Sequence, residues 1–226
     1  AASTSAAKAA PGLRMISGAS TAMINNSTIT GNRADYGNSG NSGGISVDTS
    51  GNTVTLKNSI VAKNTEYTAP DCLGPILSAG HNLIGKGLGC SFAATASDQV
   101  GMDANPIDPQ LGPLQDHGGP TFTHPLLTSS PAIDAGNPAA PGTGDSACLS
   151  QDQRGGARPI GARCDIGAYE YTLPGSAASL SILSGDNQRT GPRLPFLQSL
   201  RVAVLDSLGS PVPGVSVTFT APGSGA

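Results

Sequence analysis

Residues 26–32 read NSTITGN, and residues 58–64 read NSIVAKN. The two stretches share Asn, Ser and a final Asn at the same positions, with Ile or Val between them. A weaker echo, GHNLIG, follows at residues 80–85, where Asn82 takes the place of Asn58. Repeats of about 20 to 50 residues are typical of solenoid proteins, in which each repeat packs only on its neighbours. The sequence therefore predicts a stack of similar coils.

The local patterns favour strands. Short runs of Val, Ile, Leu and Thr bounded by Gly, Asn and Ser recur, and no stretch keeps apolar residues at helical spacing for three turns. In a parallel β-solenoid, Asn and Gly tolerate the backbone angles of tight corners, and stacked Asn side chains about 4.8 Å apart can bond one another. The predicted corner asparagines are Asn26, Asn32, Asn58, Asn64 and Asn82. The predicted core residues are Ile29, Val54, Leu56, Ile60, Leu83 and Ile84.

Composition excludes several classes of function. The net charge of −3 and the scattered Lys and Arg residues give no basic face for nucleic acid. No apolar run approaches the roughly 18 to 20 residues of a membrane helix, so no membrane span is expected. The 31 Gly and 18 Pro residues, with no Trp, suit a thin repetitive core better than a globular one.

The four cysteines fall into two local pairs, Cys72 with Cys90 and Cys148 with Cys164. Neither pair has the close spacing of a zinc or redox site, and the histidines do not cluster around them. The spacing favours two structural disulfides over free thiols. Each is worth about 3 kcal/mol in the chain-entropy model and indicates an oxidising compartment.

Residues 1–171 resemble a known family. They are similar to the right-handed parallel β-helix of bacterial surface and secreted proteins of the choice-of-anchor Q type, related in pattern to polymorphic outer-membrane repeats. The matching stretches are GGI, VTLKNSIVAKN, DCLGPILSAGHNLIG, GC, DPQLGPLQDHGGPTFTHPLLTSSPAIDAG, DQRGGARP and CDIGAYEY. The resemblance implies repeat architecture on a large surface protein rather than an activity.

The remainder of the chain has a different pattern. Residues 172–177 are predicted to be a linker, and residues 178–226 resemble the first half of the bacterial immunoglobulin-like domain of invasin and intimin stalks. Two alternating runs, joined by the turn DSLGSPVPG, carry this resemblance: Leu200, Val202, Val204 and Val215, Val217, Phe219. A full sandwich needs about 100 residues, so we expect a partial one, either truncated or completed by a strand of a neighbouring chain.

One segment concentrates reactive residue types. Residues 164–171, CDIGAYEY, hold a Cys, an Asp, two Tyr and one of only two Glu residues in the chain. With the arginines of DQRGGARP, an acid and base pair of the glycosidase kind is conceivable. The opposing interpretation is a cap over the open end of the stack, pinned by the second cysteine pair. The cap is favoured, and its residues are Asp152, Arg154, Asp165, Tyr169, Glu170 and Tyr171.

Other chemical candidates are weaker. Asp98, Asp103 and Asp108 are evenly spaced, but they lack the pattern of a calcium loop, so a structural calcium ion is only a minor interpretation. Most aspartates stand in turns, where they bond backbone amides. His81 and His124 have no nucleophile at a spacing that indicates a triad. We expect no cofactor.

These observations predict an extracellular structural or adhesive surface protein, not an enzyme, in which a stiff β-solenoid is carried on an immunoglobulin-like stalk. Its polar corners are expected to bind cell-surface glycans or proteins. Two alternatives remain: a subunit of a homopolymeric extracellular filament built by strand addition, and a polysaccharide lyase or hydrolase of the pectate-lyase-like β-helix class.

Overall fold

The chain forms two compact units, Ala1–Tyr171 and Thr172–Ala226. A computed structural model describes residues 12–15, 19–34, 42–48, 51–66, 68–172, 175, 177, 179–190, 194–206, 211–212 and 215–220. The first unit ends at the residue where the predicted solenoid region ends. Residues 173, 174 and 176 of the predicted linker and most of the DSLGSPVPG turn lie outside the described residues.

The described part of the chain contains strands and no helix. The strands of the first unit are β1 (Leu13–Met15), β2 (Thr21–Asn25), β3 (Thr28–Thr30), β4 (Ile45–Val47), β5 (Thr53–Lys57), β6 (Ile60–Ala62), β7 (Cys72–Ser78), β8 (Leu83–Ile84), β9 (Cys90–Ala93) and β10 (Gln99–Val100). Those of the second unit are β11 (Ser179–Ser184) and β12 (Arg201–Leu205).

Two parallel sheets build the first unit. One has the order β1-β4-β7-β5-β2, with β9 also paired to β7, and the other has the order β10-β8-β6-β3. The register keeps the predicted offset between the first two repeats, because Thr21 pairs with Thr53 and Thr28 with Ile60. The later echo has a different register: Ile60 pairs with Leu83, which places Asn82 beside Ser59 and not beside Asn58. The predicted alignment of Asn82 was thus wrong by one residue.

Side-chain alternation along the strands creates two apolar clusters on opposite faces of the second sheet. Val61 and Ile84 point into the cluster between the sheets, while Ile60 and Leu83 point the other way, towards residues 126–166. The inner cluster comprises Ile45, Val47, Val54, Leu56, Val61, Cys72, Ile76 and Ile84. The outer cluster comprises Ile60, Ala62, Leu83, Leu126, Ala132 and Ile166. Of the predicted core residues, only Ile29 is partly rather than fully buried.

The prediction of a right-handed parallel β-helix is wrong. The parallel sheets form a half-barrel, because β7 pairs with β4 through its first residues and with β5 through its last, merging two sets of strands into one curved sheet. Residues 101–172 contain isolated bridges but no strand, and the bridges Leu111 to Leu126 and Gln115 to Thr123 are antiparallel. The topology is therefore mixed, and all-β is the class that the structure supports.

Residues 164–171, which we call the strap, do not cap the end of a stack. They lie against the outer face of the second sheet, where the Gly167 amide donates to the Asn58 carbonyl at 2.8 Å and the Ala168 amide to Thr28 Oγ1 at 3.0 Å. Ile166 joins Ile60 and Leu83 in the outer cluster. The strap thus covers a sheet face that would otherwise be exposed to water. The predicted position of the cap, over the open end of a stack, was therefore wrong.

In the second unit, β11 and β12 form an antiparallel pair in which Leu180 faces Val204 and Ile182 faces Val202. The alternating residues 215–220 are described but belong to no strand. The predicted partial immunoglobulin-like sandwich is wrong for the described residues, since they form one two-stranded sheet and no second layer.

Candidate functional site

The strap and residues 152–158 enclose a cluster of buried charges. Arg158 Nη1 lies 2.6 Å from Glu170 Oε2, and their side chains are 0% and 1% exposed. The Glu170 carboxylate also accepts hydrogen bonds from the backbone amides of Ile160 and Asp165, each at 3.0 Å. Arg158 in turn donates to the carbonyls of Asp165 at 3.1 Å and Gly167 at 2.8 Å. One ion pair therefore fixes the backbone of the strap at several points.

A second ion pair lies beside the first. Arg154 Nη2 contacts Asp152 Oδ2 at 2.7 Å, and the guanidinium carbon lies 3.6 Å from the centre of the Tyr169 ring, a cation–π geometry. The His117 ring meets the edge of Tyr169 with 6.0 Å between ring centroids. Asp152 also accepts the amides of Gly156 at 3.0 Å and Glu170 at 3.1 Å. Burial raises the pKa of Tyr169 above its ordinary value.

Asp165 bridges the strap to a neighbouring segment. Its Oδ1 accepts the Asp134 amide at 2.7 Å, and its Oδ2 accepts the Tyr171 amide. Burial raises the pKa of Asp165 to about 7, the negative charge of Glu170 adds to the rise, and Arg158 and the two amides oppose it. Burial also lowers the pKa of Arg158, against the attraction of the surrounding carboxylates.

All six predicted cap residues belong to this cluster or its rim. The predicted set omits Arg158, although Arg158 makes more contacts with the strap than Arg154 does. The signal for it was present, since DQRGGARP and the strap both belong to the motifs quoted above. Both oxygens of the inaccessible Glu170 carboxylate are bonded to protein donors. The geometry thus commits the Glu170 carboxylate to contacts within the fold.

Two predicted corner asparagines hold a loop to the sheets. Asn26 and Asn58 adopt left-handed backbone angles, with φ of 43° and 47°. Asn58 Nδ2 donates to the Ser146 carbonyl at 3.0 Å, and Asn26 Oδ1 accepts the Leu149 amide at 2.8 Å. Asn25 and Lys57, which the sequence did not single out, bind the neighbouring carbonyls of residues 147 and 145. We call residues 137–149 the disulfide loop. These contacts fix its C-terminal part to the sheets.

The other three asparagines form side-chain ladders that end at aspartates. The amide of Asn32 donates to Asn64 Oδ1 at 3.1 Å, and the amide of Asn64 donates to Asp71 Oδ1 at 3.0 Å. In the second ladder, Asn82 Oδ1 accepts the Ser59 amide at 3.1 Å, and Asp98 Oδ1 accepts the Asn82 amide at 2.8 Å. Each rung satisfies a backbone donor that the turn leaves unpaired.

The ladder aspartates differ in their acidity. Burial raises the pKa of Asp71, although Asn64 and Lys86 donate to it. Burial acts in the same direction on Asp98, but hydrogen bonds from Ser78, Thr95 and Asn82 outweigh it and lower the pKa. Both carboxylates accept hydrogen bonds from backbone amides.

The structure contains disulfides Cys72–Cys90 and Cys148–Cys164, the two pairs predicted from spacing. The second joins the disulfide loop to the first residue of the strap. Gly136 packs against it so closely that a Cβ there would lie 2.5 Å from Cys164 Sγ. Two disulfides indicate that the protein folds in an oxidising environment, as expected of an extracellular one.

The aspartates and histidines considered as metal ligands or catalytic residues do not come together in one site. Asp103 pairs with Lys86 and Asp108 with Lys63, while Asp98 closes its ladder. Lys63 and Lys86 border a surface pocket of about 220 Å³ that Pro106 and Ile107 also line. Nδ1 of His81, His117 and His124 each lies within hydrogen-bonding distance of a backbone carbonyl. Among the described residues, no group of three or more His, Cys, Asp or Glu side chains has a metal-binding arrangement.

Comparison of the chain with protein-family models, curated proteins and solved structures finds no match. The resemblances to choice-of-anchor Q and invasin-like proteins therefore stay predictions. Within the part of the chain that the structure covers, no helix has the length and apolarity to cross a membrane.

Proposed function

We propose that the protein is an extracellular, non-catalytic structural protein whose first unit is a stiff scaffold for presenting adhesive surfaces. The observation that carries this proposal is the use made of the strap's charges. Glu170, Asp165 and Asp152 accept backbone amides of their own unit, and Arg158 donates to its carbonyls. Groups of the types that catalysis uses are employed here to hold the fold.

The contacts between the sheets and residues 137–171 support the same proposal. Asn26, Asn58 and Thr28 connect the sheets to distant segments of the chain. The disulfides add a covalent link within each part, Cys72–Cys90 between β7 and β9 and Cys148–Cys164 within residues 137–171. Long-range polar contacts and crosslinks of this kind limit local opening, which suits a protein that bears load outside the cell.

The exposed surface suggests what the scaffold presents. On the outer face of the first sheet, Met23 stands in register with Thr55, and Thr55 with Leu77. The adjacent row includes Thr21 and Thr53. Threonine hydroxyls can bond a sugar hydroxyl, and the exposed apolar side chains of Met23 and Leu77 beside them can contact its C–H face. Cell-surface glycans are therefore the proposed partners, with surface proteins as the alternative.

A filament subunit is the second candidate function, and the second unit provides the observation that favours it. Leu180 and Ile182 on β11 are 60% and 63% exposed, and Val215 and Phe219 are exposed in an alternating segment outside any strand. A two-stranded sheet is marginally stable alone. An added strand from another copy would cover these side chains.

Three measurements on the purified, disulfide-intact protein separate the candidates. A glycan array and binding to intact cells test the adhesive function, electron microscopy tests for fibres, and release of unsaturated or reducing ends from polysaccharides tests for an enzyme. Binding without cleavage supports the proposal. Regular fibres support the second candidate. Cleavage that is lost in Glu170→Gln, with the fold retained, contradicts both.

A further inference from the structure

We propose that the strap is a pH-sensitive fastening, held more tightly to the first unit in mildly acidic solution than in alkaline solution. The buried charges carry the first part of this inference. Asp152, Asp165 and Glu170 are at most 7% exposed, and the two guanidinium groups among them belong to Arg154 and Arg158. With every group ionised, three carboxylates face two cations in the interior, so one negative charge has no partner.

Asp165 is the member whose ionisation acts on the strap. Arg154 and Arg158 each have a close carboxylate partner, Asp152 at 2.7 Å and Glu170 at 2.6 Å respectively. Asp165 has no ion pair of that kind and instead accepts the Asp134 amide of a neighbouring segment and the Tyr171 amide at the far end of the strap. A change of charge on Asp165 therefore acts at both ends of the segment that it fastens.

Among the described residues, Arg158, which is already paired with Glu170, is the cation that acts on Asp165 most strongly. Glu170 and Arg158 are the charged groups whose fields reach it most strongly, with opposite signs. Asp134 presents its backbone amide to Asp165 and uses its own Oδ1 to accept the exposed Arg163 amide at 3.1 Å. Lys57, on the adjoining strand, contacts the carbonyl of Asp145 in the disulfide loop. His117 and Tyr169 lie on the far side of Arg154.

The sign of the effect follows from the direction of the shift. Asp165 ionises near pH 7 when the strap is closed, and near its ordinary value when the strap is open to water. Between about pH 4 and pH 7 the closed form therefore binds more protons, so its advantage declines across this range and levels off above about pH 7. A shift of this size predicts a rise of about thirtyfold in the opening equilibrium between pH 5.5 and pH 8.5.

Hydrogen exchange measured by mass spectrometry tests the proposal on the full chain. After correction for the intrinsic rate, the amides of residues 165–171 should lose about thirtyfold in protection from pH 5.5 to pH 8.5, while the amides of β5 and β6 stay unchanged. Asp165→Asn should make strap protection independent of pH. Asp103→Asn, at an exposed ion pair, is the matched control and should retain the wild-type response.

Equal wild-type protection at both pH values, or an unchanged response in Asp165→Asn, overturns the proposal. Should Asp165→Asn fail to fold, the carboxyl ¹³C chemical shift of Asp165 in the wild-type protein gives the second readout. A midpoint near pH 7 supports the fastening, and a midpoint below pH 5 rejects it.

Discussion

Arg158 and Glu170 form an ion pair of 2.6 Å whose two side chains are almost completely shielded from water. Such a pair adds little net stability relative to an apolar replacement, but breaking it leaves one buried charge without a partner. Here each member also satisfies backbone groups of the strap and its neighbours. The pair therefore determines the backbone path of residues 158–171.

Replacing Glu170 with Gln should lower the free energy of unfolding by about 3 to 5 kcal/mol, since Arg158 would lose the carboxylate in direct contact with its buried guanidinium. Chemical denaturation measures the change. Asp103→Asn removes an ion pair whose carboxylate is 58% exposed and should cost less than about 1 kcal/mol. Equal effects of the two variants would contradict the role given to Glu170.

Replacing Asn58 with Ala should cost about 3 kcal/mol beyond its matched control, because the Ser146 carbonyl and the Asn137 amide would each lose their partner. Gln110→Ala is the control, as Gln110 has the same left-handed backbone, with φ of 51°, and lies outside this network. Thermal or chemical unfolding gives both values. If the two variants lose the same free energy of unfolding within experimental error, Asn58 contributes only through its left-handed backbone conformation.

Gly167 tests the contact between the strap and the second sheet. It has φ of 103°, and a Cβ there would lie 2.8 Å from both Ile60 Cδ1 and Thr28 Oγ1. Gly155, with φ of 88° and open space around it, is the matched glycine. Gly155→Ala should cost about 1 to 2 kcal/mol for the backbone alone, and Gly167→Ala at least about 2 kcal/mol more. Limited proteolysis should also cut the strap faster in Gly167→Ala only.

Removing either disulfide should lower stability by about 3 kcal/mol in the chain-entropy model, since the two bridges close loops of similar length. The double variants Cys72→Ala/Cys90→Ala and Cys148→Ala/Cys164→Ala provide the comparison. Only the second should increase hydrogen exchange in residues 137–149, because only that bridge ties the disulfide loop to the strap. Increased exchange there in both variants would show that the loop depends on global stability instead.

The parts of the fold that repeat could be predicted from the sequence. The offset between NSTITGN and NSIVAKN matches the strand register, because Ile29 pairs with Val61 and both pack in the inner cluster. The third echo gave the wrong register, because aligning Asn82 with Asn58 matched the two asparagines and left the aliphatic residues that follow them out of register. Leu83 pairs with Ile60, and Asn82 occupies the position of a serine.

The position of the strap could not be predicted in the same way. Its contact with Thr28 spans 140 residues of sequence, and residues 101–172 have no period that fixes their path. The charged residues and cysteines of this segment predict which side chains cluster. They do not predict the surface of the sheet on which the cluster lies. Nothing local in DQRGGARP distinguishes Arg158 from Arg154, so the sequence does not indicate which arginine pairs with Glu170.

The Cys148–Cys164 bridge has a mechanical consequence. Tension applied at residue 172 would peel the chain from the sheet one hydrogen bond after another, beginning at Tyr171. Peeling would stop at Cys164, because the disulfide transfers the load to the disulfide loop. Hydrogen bonds with Asn26 and Asn58 hold that loop to the sheets. The slack released before that stop is the stretch from Asp165 to Tyr171, roughly 25 Å when fully extended.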